Sequence, residues 1–143
     1  MTMLFGGFVL REPSSRDQLP VIFDPTESQI DDVINLFSCY EGILGLRHSH
    51  EPKCGPYRLS LQAEKEGIFL KRDNCLYLLM LDQYDSDGEI RVRTIHNHEF
   101  PAGLAIHWGE PYPSRARTRD LELVRSIFRE FARTGNVSEN IMS

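Results

Sequence analysis

Residues 75–81, Cys-Leu-Tyr-Leu-Leu-Met-Leu, constrain the fold more than any other stretch of the chain. The run is apolar at odd and even positions alike. A strand made from it hides both faces, which marks the centre of a sheet. No apolar run here approaches the ~20 residues that span a bilayer. Around this stretch the pattern has period two. Tyr57–Gln62 alternates, and Ile68-Phe69-Leu70 follows a polar turn over Glu64–Gly67. Asp87-Gly88 is a hairpin dipeptide, with Ile90, Val92 and Thr94 alternating after it. Leu104–Trp108 is a further strand candidate, and Met1–Leu10 and Val21–Phe23 read as strands at the front. Short links between the central strands imply antiparallel pairing.

Two helices flank this region. Asp24 as N-cap, Pro25 at the first helical position and Glu27 three residues after the cap predict a helix over 25–40. Ile30, Val33, Ile34 and Phe37 form its stripe, and Gly42 and Gly45 close it. Residues 45–56 then read as loop, as do 11–19 and 109–117. Thr118 caps the second helix, whose stripe is Leu121, Val124, Ile127, Phe128 and Phe131, and Gly135 stops it. The expected architecture is α+β, one domain over residues 1–143. A central antiparallel meander of about five to six strands has one helix before it and one C-terminal helix packed on the sheet.

Charge narrows the function classes. The chain has 21 acidic residues against 16 lysines and arginines, a net charge of −5. Phosphate neutralisation needs a positive surface, so direct nucleic-acid binding is not expected. A basic protein partner suits an acidic surface, although mild negative charge also serves solubility alone. Cys39, Cys54 and Cys75 are an odd, scattered set, which argues for reduced thiols in a cytoplasm. The opening residues lack a basic leader and read as a strand, not a signal peptide.

Four motifs invite a chemical reading. His48-Ser49-His50 and His96-Asn97-His98 have the H-x-H spacing of metal ligands, without a carboxylate or cysteine to reinforce either pair. The second also spells the name of a nuclease motif, but such nucleases spread their catalytic residues over a longer element. Asp85–Ile90 has the spacing of a calcium loop, yet Thr94 stands where the bidentate glutamate belongs. No metal or other cofactor is therefore expected. Two groups are candidates for partner binding: Asp82, Tyr84, Asp85, Asp87 and Glu89 at one hairpin tip, and Trp108 and Tyr112, near Arg115, before the second helix. The plain alternatives are a solvated turn for the first and core packing for Trp108.

Pro113-Ser114 leads into Thr118–Val124 and then Phe128-Arg129-Glu130-Phe131-Ala132-Arg133-Thr134-Gly135. This segment, with Ile30–Phe37 and short strands such as Leu59-Ser60-Leu61, resembles immunity proteins of bacterial polymorphic-toxin systems, in the family found beside deaminase toxins. The resemblance implies a cytoplasmic, ligand-free, non-enzymatic module that occludes the active site of a cognate toxin domain with a basic groove. The rival expectations are a small histidine-dependent enzyme, with or without zinc, and a non-toxin adaptor subunit.

Overall fold

The structure is a computed structural model and describes residues 2–12, 15–66 and 75–143. In chain order the elements are β1 Met3–Glu12, β2 Ser15–Gln18, β3 Ile22–Phe23, α1 Glu27–Leu36, β4 Glu41–His48, β5 Gly55–Lys65 and β6 Cys75–Tyr84. They continue with β7 Ile90–Arg93, β8 Leu104–His107, β9 Glu110–Pro113, a short 3₁₀ turn Ser114–Ala116, β10 Arg117–Thr118 and α2 Leu121–Thr134. Among the described residues the main sheet has eight strands, in the order β10-β6-β5-β4-β1-β2, with β3 beside β1 and β7 beside β6. Every pairing is antiparallel. The α+β architecture agrees with the sequence pattern, with more strands than the five or six expected.

Alternation sorts each strand into two faces. Phe5, Leu44, Leu46, Leu59, Leu61, Tyr77, Leu79 and Leu81 point inward and are buried. Over them lie Ile30, Ile34 and Phe37 from the first helical region and Val124, Ile127, Phe128 and Phe131 from α2. Phe5 and Phe128 meet with ring centroids 6.2 Å apart, and the Tyr77 hydroxyl donates to the Phe37 carbonyl at 2.9 Å. The helices run antiparallel to each other, because Glu27 faces Arg133, Asp31 faces Arg129 and Asn35 faces Arg125. Gly135 ends α2 in the left-handed conformation, φ 77°, as the sequence predicts.

Several boundaries differ from expectation. Helix α1 starts two residues later: Thr26 caps it through a capping box with Gln29. Asp24 instead sits at φ 47° and ties β3 to β1, its carboxylate accepting from the Met3 amide at 2.8 Å. Asp120, not Thr118, caps α2, accepting from the amides of Glu122 and Leu123, while Thr118 belongs to β10. Of the connection expected over 11–19, residues 11–12 belong to β1 and 15–18 to β2, which pair antiparallel. Glu64 and Lys65 belong to β5, while Gly67 and the candidate strand Ile68–Leu70 lie outside the described residues.

Gly42 and Gly45 do not close a helix. They are internal to β4; of the loop expected over 45–56, residues 45–48 are the end of that strand and 55–56 the start of the next, with 49–54 as the connection. Gly42 is there for a steric reason. A Cβ on it would fall 2.2 Å from the Phe8 carbonyl oxygen, and one on Gly7 would fall 2.0 Å from that of Ile43. At these two places β1 and β4 approach more closely than any side chain allows.

Arg93 is the largest fully buried side chain, at 1 % exposure. Alternation alone places it as an ordinary edge-strand cation. Its guanidinium donates to the carbonyls of Met142 and Val137 and to the side-chain oxygens of Gln83 and Asn136. Burial pushes its pKa down, and neutral acceptors take up its donors. It pins the segment after α2 to the end of β7, where Thr94 and Ser143 also exchange backbone bonds.

Candidate functional site

The outward face of the sheet is covered over only part of its length. Residues 104–113, expected as one strand and a loop, form a two-stranded ribbon, β8–β9, that lies against one end of this face. Trp108 and Gly109 make its turn, both with positive φ (52° and 78°), the pattern of a type I′ hairpin. A tryptophan is strained there. Three contacts hold it: its amide donates to Glu64, its indole N–H donates to the Ala63 carbonyl at 3.1 Å, and its ring tilts against Phe8.

His107, which the sequence reading passed over, sits under the ribbon with no exposed surface. Its Nε2 lies 2.9 Å from the Gln62 carbonyl, which can only accept. The proton is therefore on Nε2 and Nδ1 is bare in the neutral ring. Among the described residues Nδ1 has no hydrogen-bond partner, with Glu64 Oε2 3.5 Å away. Burial pushes the pKa of this imidazole down.

The acidic hairpin stands at the other end of the same face. Tyr84 pairs with Gly55, whereas Trp108 rests on Ala63, eight residues along β5. At ~3.3 Å per residue the two ends are about 26 Å apart. The structure therefore does not bring Trp108 and Tyr112 together with Asp82, Tyr84, Asp85, Asp87 and Glu89. It also neutralises part of the acidic cluster. Arg58 donates twice to Asp82 Oδ2, at 2.7 and 3.1 Å, and Arg91 lies 3.5 Å from Asp85. Asp87 accepts from the Glu89 amide inside the turn. Tyr84 donates to Glu51, which pushes the tyrosine pKa up, and its ring lies tilted against that of Tyr57. Tyr112 is half-buried opposite Ala105, and Arg115 is used structurally, donating to the Phe100 carbonyl.

Between the two ends the face is open, and it holds a trough of ≈ 540 Å³. Its floor is the cross-strand pair Gly6–Gly45, its walls are Leu4, Val21, Ile43 and Met80, and Arg47, Arg58, Gln62 and Asp82 bring polar groups into it. The exposed large hydrophobic side chains among the described residues are Val21, Phe23, Ile90, Val92, Leu104 and Ile106. Four of the six stand on the margins of this open face. Phe23 pairs with Leu4 at one side, and Val92 and Ile90 pair with Asp82 and Tyr84 at the other. No feature of the local sequence marks these margins, because the pairing that assembles them is long-range.

The histidine pairs are held apart from this face. His48 ends β4 beside Phe131 and the Gly135 carbonyl, while His96 contacts the Ser143 hydroxyl at 2.8 Å. His50 and His98 are exposed. Among the described residues no group of three or more His, Cys, Asp or Glu side chains could hold a metal ion. Cys39 and Cys54 are exposed thiols and Cys75 is buried. No helix among the described residues is long and apolar enough to cross a membrane.

A sheet with two helices sealing one face, and a ribbon covering one end of the other, defines an α+β domain with an open sheet surface. The chain belongs to the family DUF6911, described as a family of unknown function, whose model matches residues 2–141. Among solved structures it is similar to a hypothetical protein from Neisseria gonorrhoeae, at 22% identity and a TM-score of 0.77, covering 96% of this chain and 90% of that one. At that identity the likeness speaks for the fold alone. No curated protein matches the sequence.

Proposed function

We propose that this chain is an immunity protein: it binds a bacterial toxin domain one to one and occludes the toxin's working surface, with no catalysis of its own. The observation that carries the reading is the open part of the outward sheet face, flanked on both sides by exposed apolar side chains. Exposed apolar side chains collected around one concave surface mark an interaction site more than the same residues scattered singly. Aromatic and arginine side chains, here Phe23, Tyr84 and Arg47, are the types that dominate interface energies. The net charge of −5 and the exposed acids Asp87 and Glu89 at the rim suit a partner with a basic groove.

The test begins with the product of the neighbouring reading frame, purified and mixed with this chain. A one-to-one complex is expected. Phe23→Asp combined with Val92→Asp should weaken it at least 100-fold without moving the unfolding midpoint. Neutralising Asp85, Asp87 and Glu89 together should slow association at low salt, since charge acts most on encounter and is screened with a Debye length of ~8 Å at physiological salt. If the neighbouring product is no toxin and no toxin domain is bound, the reading falls. If the double variant binds as well as the wild type, the face is wrong.

A further inference from the structure

Five described arginines have no carboxylate partner, and four of them are held by neutral groups of the fold: Arg93, Arg115 and Arg117 through hydrogen bonds and Arg16 over the Phe8 ring, with Arg47 the fifth. Seven others pair with carboxylates: Arg11, Arg58, Arg91, Arg119, Arg125, Arg129 and Arg133. Arg47 has no acidic partner among the described residues. One of its terminal nitrogens donates to the His48 carbonyl at 3.2 Å and reaches the Tyr57 hydroxyl at 3.5 Å. Those contacts hold the half-buried guanidinium in place, and Nε and the second terminal nitrogen keep donors to offer.

The surroundings define what could take them. Among the described residues the charged groups lining the trough are Arg47, Arg58 and Asp82, and Arg58 already cancels Asp82. The trough is thus singly positive in a chain whose net charge is −5. A planar carboxylate matches the arginine fork and carries one charge. A phosphate dianion would leave its second charge uncompensated beside Asp82. Leu4, Val21, Ile43 and Met80 line the remaining walls, which suits a carboxylate carried on an apolar stem. The floor leaves room for it: a Cβ on Gly45 would meet nothing nearer than the Leu59 carbonyl at 3.8 Å. A volume of ≈ 540 Å³ falls within the ~300–1,000 Å³ of ordinary ligand sites.

We infer that the trough is a receptor for a carboxylate on an apolar stem, supplied by an acidic side chain of the bound protein and gripped by Arg47. The inference rests on the reading of this face as a partner surface. It gives the surface two electrical signs, an acidic rim that steers a basic partner and a cationic centre that locks one acid of that partner in place.

Two measurements test it. In the free protein, hexanoate titrated into the ¹⁵N-labelled chain should shift the amide signals of Gly6, Gly45 and Arg47 and saturate in the millimolar range. Hexanamide should bind at least 10-fold more weakly, and Arg47→Met should abolish the hexanoate response while the rest of the spectrum stays folded. Equal binding of acid and amide, or an unaffected Arg47→Met, overturns the assignment. In the complex, Arg47→Met should speed dissociation at least 10-fold. One acidic residue of the partner, changed to its amide, should give the same loss and add nothing to the Arg47 variant. A stable complex in which no acid of the partner couples to Arg47 overturns the inference and leaves the immunity reading standing. Arg47-dependent hexanoate binding with no toxin complex does the reverse: it removes the protein as the occupant and makes the trough a site for a free organic acid.

Discussion

The two faces of the main sheet are made from alternate residues of the same strands, yet solvent reaches them very differently. The inward side chains of β1, β4, β5 and β6 are sealed by two helices, and no large apolar side chain there is left exposed. The outward side is closed at one end by the β8–β9 ribbon and open at the other, with apolar side chains left standing around a trough floored by Gly6 and Gly45. Burial removes apolar surface from water and so stabilises the fold. A chain that needs only to fold gains nothing by leaving part of one sheet face bare. The contrast separates residues kept for stability from residues available to a partner.

The largest expected effect tests the sealed face. Phe128→Ala should cost ~3–5 kcal/mol in urea unfolding, through lost burial and the cavity left beside Phe5. A cost below about 1 kcal/mol would mean that α2 does not close the core. Next comes the clamp at the edge of that face. Arg93→Met should cost about 3 kcal/mol, because the carbonyls of Val137 and Met142 lose a buried donor. Should the variant unfold at the wild-type midpoint, those carbonyls find water, and the clamp is dispensable.

The third prediction concerns the covered end of the outward face. Burial holds the His107 pKa below its ordinary value of 6.5, so between the two values the unfolded chain binds more protons than the folded one. Stability from this group is complete above pH 6.5 and declines as pH falls, by at most ~1.4 kcal/mol per pH unit. His107→Gln, which keeps a donor for the Gln62 carbonyl, should remove that part of the slope when unfolding at pH 7.5 and pH 5 is compared. Identical slopes in the two proteins would mean that the ribbon admits water to the ring. The smallest effect belongs to the open end. Val21→Ser and Val92→Thr should each change stability by less than about 0.5 kcal/mol, since both residues are exposed. A larger cost would show that the open face holds the fold together after all.

What the sequence disclosed follows the range of the interactions involved. The stripe of α2, the doubly apolar β6 and the Asp87-Gly88 turn depend on neighbours a few positions apart, and all three stand where periodicity puts them. β4 was hidden because Gly42 punctuates a sequence like a helix stop, while its actual cause is the nearby Phe8 backbone. β9 was hidden by Pro111 and Pro113. They occupy alternate positions of a two-stranded ribbon, where a residue without an N–H can sit at the pairs that exchange no hydrogen bonds. Of the candidate site, the acids were legible, but the arginines that neutralise them were not. Arg58 and Asp82 are 24 residues apart, and only the β5–β6 register makes them neighbours.

The glycines of β1 and β4 divide into two kinds, with a consequence for how freely this surface can change. Gly7 and Gly42 tolerate no side chain, because backbone oxygens occupy the space a Cβ would need. Gly6 and Gly45 have ordinary clearance, the nearest atoms lying at 3.6 and 3.8 Å. In a library randomising all four codons, the first two would return glycine alone, whereas the second two would return small residues as well. Shape and selectivity are thus written at separate positions along the same strands. A lineage, or a designer, could refit the trough to a new partner one floor residue at a time while the frame around it stays fixed.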